Sequence, residues 1–160
     1  MEYKIRTIGP DDNIPMAELI RYNLKNNGLD IPGTVYFDKI TDSLYEFYSG
    51  NDRRDYYVLV DENDSVIGGV GFDEFPFIPD CAELQKLYLN DSVKGKGLGY
   101  KLVGFIEDKM CEKGYKKSYL ETHHNLQVAI HIYERCGYKA IDRPKEVNHG
   151  AMTGFYLKNL

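Results

Sequence analysis

Between Val93 and Tyr100 the chain reads Val93-Lys94-Gly95-Lys96-Gly97-Leu98-Gly99-Tyr100, three glycines and two lysines at the threshold of a helical pattern. Glycine lets a backbone turn tightly and approach a ligand closely. The first turn of the helix that follows leaves N–H groups unpaired, and its dipole end is positive. Loop and helix start together make a cradle for a phosphate or pyrophosphate, to which Lys94 and Lys96 add charge. A solvated loop with no ligand is the plain alternative. Further along, Asn125, Ala129 and Tyr133 fall at i, i+4 and i+8, one flank of a helix. An amide, a small side chain and a phenol then face the same way, although Asn125 also reads as a helix cap and Tyr133 as a core tyrosine. His123-His124 precedes them; with no further metal ligands evident, a loop or capping role suits the pair better.

Two nucleotide-binding patterns compete for the glycine loop. A P-loop needs Gly-Lys followed by Ser or Thr, which the chain does not supply. A dinucleotide-binding fold is closer, since strand, GxGxG, helix and a strand ending at Glu121 mimic its layout. Its glycines open directly after the strand, however, whereas Asn90 to Lys94 intervene here. Tyr100 stands where a third small residue should pack, and 160 residues are too few for two mononucleotide-binding halves.

The elements that must position these groups follow from periodicity. Tyr3 to Ile8 alternates as a first strand closed by Gly9-Pro10. Asp11 to Asn13 offers caps for a helix carrying Ile14, Ala17, Ile20 and Leu24, ended by Gly28. A second helix is expected from about Asp38, with Ile40, Leu44, Phe47 and Tyr48 on one face. Tyr56–Asp61 and Ser65–Phe72 read as strands joined at Glu62-Asn63-Asp64. Cys81–Leu89 is another strand, and a strict period of two puts Glu83, Leu87 and Leu89 on one face. Leu98, Leu102, Phe105, Ile106 and Met110 mark a third helix stopped by Gly114, and Lys117–Thr122 a strand. Asn125 is expected to cap the last helix, which runs to about Cys136 before Gly137. Short strands near Tyr138–Ile141 and Met152–Lys158 finish the chain. No repeat or linker interrupts it, so residues 1–160 are expected to form one domain. The order of elements calls for an α+β, α/β-like arrangement: a mixed sheet with helices on its faces.

Composition narrows the function classes. Apolar residues make up 42% and charged residues 28%, a globular balance, and the net charge of −5 speaks against nucleic acid as a partner. The three cysteines, Cys81, Cys111 and Cys136, are odd in number and form no CxxC pair, which argues against a disulfide framework or a zinc site. The stretch Met1 to Arg6 lacks the apolar run of a signal peptide, and no segment approaches a membrane span. A cytoplasmic location is the expectation.

Glu83-Leu84-Gln85-Lys86-Leu87-Tyr88-Leu89, then Lys94-Gly95-Lys96-Gly97-Leu98-Gly99, then Asn125 through Ala129 to Tyr133 and Gly137-Tyr138 resembles the GNAT (GCN5-related N-acetyltransferase) superfamily. The glycine segment is similar to that family's Q/R-x-x-G-x-G/A signature, with Lys94 at the position usually held by Gln or Arg. The later segment is similar to its N-x-x-x-A-x-x-x-Y-x-x-x-G-F/Y pattern. The resemblance implies a mixed, mostly antiparallel twisted sheet of about seven strands. It implies acetyl transfer from acetyl-CoA to a primary amine, with no metal, and a homodimer is compatible with a free sheet edge. The pantetheine arm would lie between diverging strands against the backbone of Leu87, Tyr88 and Leu89. Amides from Lys94 through Gly95, Lys96, Gly97, Leu98 and Gly99 to Tyr100 would hold the pyrophosphate, and Asn125 and Tyr133 would flank the arm.

A lysine-like amine of pKa about 10.4 costs about 4.6 kcal/mol to deprotonate at pH 7, so such an acceptor needs a base. Glu83 is the candidate, with Glu121 and Asp38 in reserve. Tyr133 is the candidate acid for the leaving thiolate, and Tyr36-Phe37-Asp38 a candidate acceptor-facing element. A non-catalytic acyl-CoA-binding sensor and, further off, the dinucleotide binder remain as alternatives.

Overall fold

In the computed structural model, residues 2–148 and 150–160 are described; Met1 of the N-terminal stretch lies outside them. Seven strands form one sheet in the order β1-β2-β3-β4-β5-β7-β6. They are β1 (Lys4–Thr7), β2 (Asp55–Val60), β3 (Val66–Glu74), β4 (Cys81–Leu89), β5 (Lys117–Thr122), β6 (Lys139–Ala140) and β7 (Gly154–Asn159). Neighbours are antiparallel except β4 and β5, which run parallel. The mixed, mostly antiparallel sheet is therefore as expected, and the parallel sheet of a dinucleotide-binding fold is not what forms.

Helices α1 (Asn13–Asn26) and α2 (Leu44–Ser49) cover one face, and α3 (Leu98–Glu112) and α4 (Gln127–Arg135) the other. The first face is filled by Met16, Ile20, Leu24, Leu44 and Tyr48 packed on Tyr56, Val58 and Val60. Leu98, Leu102, Ile106, Met110 and Tyr133 pack on Leu59, Val70, Phe72, Leu84 and Leu120 on the second. Alternate residues of β2 thus go to opposite layers, as a doubly covered strand requires. Among the described residues no helix is long and apolar enough to cross a membrane.

Two helices depart from their sequence reading. In α1 the buried stripe is Met16, Ala17, Leu19, Ile20 and Leu24, while Ile14 points outward at 73% exposure. The helix expected from Asp38 is broken in two. The Asp38 carboxylate accepts from the Ile40 N–H at 3.0 Å and opens a 3-10 turn, Lys39–Asp42, that ends at Ser43 before α2. Thr41 donates its hydroxyl to the Val35 carbonyl at 2.6 Å, a local bond that competes with helix continuation.

Strand β4 carries the departure that matters most. Gly71 faces Gln85 and Gly69 faces Tyr88, so a step of two residues along β3 is matched by a step of three along β4. Lys86, at φ +52°, takes the extra place. Beyond this bulge the alternation is inverted. Glu83, Gln85 and Tyr88 share the α1/α2 face, while Leu84, Leu87 and Leu89 pack toward α3. The expectation that Glu83 shares a face with Leu87 and Leu89 is corrected accordingly.

Candidate active site

Parallel pairing between β4 and β5 spans only Cys81↔Lys117, Ala82↔Ser118 and Glu83↔Tyr119. Past Glu83 and Tyr119 the strands part, and the β4 edge from Leu84 to Leu89 has no β5 partner. A cavity of about 850 Å³ opens in this gap. Its walls are β4 from Glu83 to Leu89, the end of β5 at Glu121 and Thr122, and the α4 flank Ala129, Ile132 and Tyr133. Asn23 of α1, Asn27 just past its end and the Gly33–Val35 segment complete it.

Glu83 is half-buried at one side of this cavity. Removal from water pushes its carboxyl up to about 7, with Glu121 adding to the rise and a hydrogen bond from Gln85 opposing it. Gln85 donates from Nε2 to Glu83 Oε1 at 3.0 Å and accepts at Oε1 from the Tyr48 hydroxyl at 2.5 Å. Lys86 Nζ in turn donates to the Tyr48 oxygen at 3.3 Å. An ammonium can only donate, so Tyr48 must send its own proton to Gln85, and this fixes the Gln85 amide with its NH₂ toward Glu83. One Glu83 oxygen is thereby engaged; the other accepts nothing among the described residues. Glu121, which takes the Tyr119 hydroxyl proton at 2.9 Å, and Asp38 also line the cavity. Tyr36 and Phe37 do not. The Tyr36 carbonyl accepts from Arg21, its ring meets Phe37 edge-on, and Phe37 faces solvent, so of the expected acceptor-facing trio only Asp38 reaches the site.

Tyr133 lies across the sheet from Glu83, on α4, with 6% of its surface exposed. Burial, reinforced by Tyr88 and Cys136, holds its phenol well above the ordinary value, so the hydroxyl keeps its proton at any physiological pH. Asn125 sits outside α4, whose N-cap is Leu126 with no side-chain cap. Instead of capping, Asn125 donates from Nδ2 to the Asn27 carbonyl at 2.9 Å and ties the β5–α4 loop to the end of α1. Its own N–H goes to His123 Nδ1 at 3.0 Å, which leaves His123 protonated on Nε2 when neutral. His124 stacks on His123 with centroids 4.1 Å apart and meets Thr153 Oγ1 at 3.0 Å. The pair organises a loop, as expected.

Gly95 and Gly97 adopt φ +79° and +75°, and a Cβ on either would meet no protein atom within 4 Å. These two positions require glycine for conformation, not for packing. Gly97 is the N-cap of α3 and supplies no side-chain cap, so the first amides of that helix have no side chain across them. Gly99 differs: a Cβ there would stand 2.7 Å from Ile132 Cδ1, so it sets how closely α3 meets α4. Lys94 borders the cavity and is held by Asp91 at 2.7 Å and Asn23 at 3.1 Å. Lys96 reaches the Tyr3 hydroxyl at 3.3 Å, Leu98 points its side chain into the core, and Tyr100 is turned to solvent.

Residues 26–138 match the Acetyltransferase (GNAT) family. The chain belongs to that family. It is an N-acetyltransferase that uses acetyl-CoA as donor and, as the family does in general, an amine as acceptor. The uncharacterized N-acetyltransferase YjgM of Escherichia coli (strain K12) is 34% identical over 140 residues, covering 86% of this chain and 83% of that one. Among solved structures, a GNAT-family acetyltransferase from Staphylococcus aureus Mu50 overlays with a TM-score of 0.85 at 18% identity, covering 99% of both chains. The PaiA N-acetyltransferase from Thermoplasma acidophilum, solved with coenzyme A, overlays at 0.78 with 21% identity and full coverage of both. At these identities the two structures share the fold.

Several residues lining this acetyltransferase's cavity escaped the sequence reading: Asn23, Asn27, Gln85, Lys86, Thr122 and Met152. Asn23 is buried on an otherwise apolar helix face and donates to the Leu19 and Leu89 carbonyls. A buried amide in that stripe was the available signal. Lys86 carried none, because its inward course depends on the bulge.

Proposed function

We propose that the enzyme transfers acetyl directly to a primary amine, with Glu83 as general base and Tyr133 as general acid. The parting of β4 and β5 beyond Glu83 and Tyr119, along a cavity that reaches both side chains, carries this reading. An unpaired parallel edge beside an open gap suits a pantetheine arm, which can pair with it as a pseudo-strand along Leu87, Tyr88 and Leu89. The amides from Lys94 to Tyr100, fixed by the left-handed Gly95 and Gly97, suit the pyrophosphate, and Asn125 and Tyr133 flank the arm.

The amine nitrogen bonds to the thioester carbonyl carbon, the carbon–sulfur bond breaks, and two protons move. Glu83, with its carboxyl near 7, takes the proton from nitrogen; Tyr133, kept neutral by burial, gives its proton to sulfur. A backbone N–H near Leu87 stabilises the oxyanion between the two steps. No cysteine is among the cavity-lining residues, which agrees with direct transfer in place of an acyl-enzyme.

The test is thiol release from acetyl-CoA with a panel of amines, followed by mass analysis of the products. Release that requires an amine and yields its N-acetyl derivative is the expected result. Tight coenzyme A binding with no release on any amine would overturn it.

A further inference from the structure

We propose that the acceptor is an amino acid, its carboxylate held by Lys86 while its amine faces Glu83. The inference rests on the acetyl-transfer reading above, with Glu83 as base.

The argument starts from an imbalance on the cavity floor. Lys86 Nζ has three protons and places one on Tyr48. It forms no ion pair with any carboxylate among the described residues. Burial lowers its pKa against the opposing influence of Glu83, Asp38 and Asp73. A lysine drawn into a cavity wall by a left-handed backbone, lying 5.5 Å from the centre of the Tyr48 ring and in contact with no carboxylate among the described residues, has protons free for an anion.

Of the other carboxylates nearby, only Asp73 faces a cation among the described residues. Asp73 faces Arg54 at 3.6 Å, Asp38 accepts from the Ile40 N–H, and Glu121 accepts from Tyr119. Asp38 and Glu121 each keep one oxygen free among the described residues, as Glu83 does; Glu83 and Lys86 are the carboxylate and ammonium that a run of hydrogen bonds links. The two groups are held apart by the run Lys86→Tyr48→Gln85→Glu83, in which every donor direction is settled. A ligand complementary to both presents an amine to the carboxylate and an anion to the ammonium a few bonds away. A free α- or β-amino acid does so. A short diamine spanning the same distance would satisfy Glu83 but bring its second cation against Lys86, a like-charge contact.

The wild-type enzyme supplies the first test. Thiol release is measured with free α- and β-amino acids, their methyl esters and carboxamides, and linear diamines, with coenzyme A affinity followed by calorimetry. Loss of one partner from a buried charge pair predicts that each productive amino acid exceeds its own methyl ester in kcat/KM by about 30-fold or more. Lys86→Met should drive that ratio toward one, chiefly through KM, while coenzyme A affinity reports that the fold is intact. Esters or diamines used as well as amino acids would overturn the inference, as would a ratio unmoved by Lys86→Met. Transfer confined to amines without a carboxylate sinks the inference alone. Coenzyme A binding without transfer to any amine sinks the acetyl-transfer reading with it.

Discussion

Replacing Glu83 by glutamine should make the protein more stable at pH 8 and nearly inactive. The Glu83 carboxyl rises from an ordinary 4.5 to about 7 because folding takes it out of water. Below pH 4.5 it is protonated in both folded and unfolded chains and contributes no difference. As pH climbs through 4.5 the unfolded chain releases its proton, while the folded chain keeps it until about 7. The unfolded state therefore gains, and stability falls across that window. Above pH 7 the full penalty is about 3 kcal/mol, and the open cavity discounts it to about 1–3 kcal/mol. The neutral amide of Glu83→Gln would escape the penalty and still accept from Gln85 Nε2 through its oxygen. Urea unfolding of both proteins without ligand, at pH 4.5 and at pH 8, measures the difference directly. The variant's advantage should grow by about 1–3 kcal/mol between the two conditions. At pH 7.5 its kcat/KM should be about 10²–10⁴-fold lower. The wild-type to variant ratio should climb through pH 7 and then level, since ionisation of the acceptor cancels in the ratio. An advantage of equal size at both pH values would refute the assignment of a raised carboxyl to Glu83.

Tyr133→Phe should lower kcat by about 10²-fold or more at an unchanged coenzyme A affinity, measured by steady-state kinetics and calorimetry. Gly97→Ala meets no neighbour but must hold φ +75°, so denaturation should show a loss of about 1–2 kcal/mol and calorimetry a weaker coenzyme A complex. Retained affinity alongside the stability loss would remove the loop amides from the pyrophosphate role. Gly71→Ala would put a Cβ 2.4 Å from the Tyr56 ring and 2.8 Å from the Asp55 carbonyl oxygen, and should lower stability by about 2–3 kcal/mol in urea titration.

Much of the scaffold was legible because its signals are local. Gly9-Pro10, the turn at Glu62-Asn63-Asp64, Gly114 and Gly137 punctuate the chain where elements end, and apolar spacing does the rest. The glycine loop was legible for the same reason, since positive φ at Gly95 and Gly97 is a property of single residues. What escaped depends on partners far away in sequence. The bulge at Lys86 is written in no turn residue; it follows from how β4 must meet Gly69 and Gly71, where the Tyr56 ring occupies the space side chains would need. A period-two reading of β4 therefore fails halfway along. Asn125 looked like a cap because cap residues are recognised by type and place, yet the Asn27 carbonyl, 98 residues away, is what it bonds. Ile14 failed on the same ground: spacing proposes a face, and tertiary packing decides which apolar residues that face buries.

The bulge also explains why one strand can serve both halves of the proposed reaction. Without it, Glu83, Gln85, Leu87 and Leu89 would all face one layer, and whatever lay along the β4 edge would meet base and apolar wall on the same side. With the extra residue, Glu83 and Gln85 look toward α1 and α2, and Leu87 and Leu89 toward α3 and the Tyr133 side. A group lying in the plane of the sheet, in the gap left by β5, then has a proton acceptor on one face and a proton donor on the other. An amine entering from the Glu83 side and a thiol departing toward Tyr133 never compete for space.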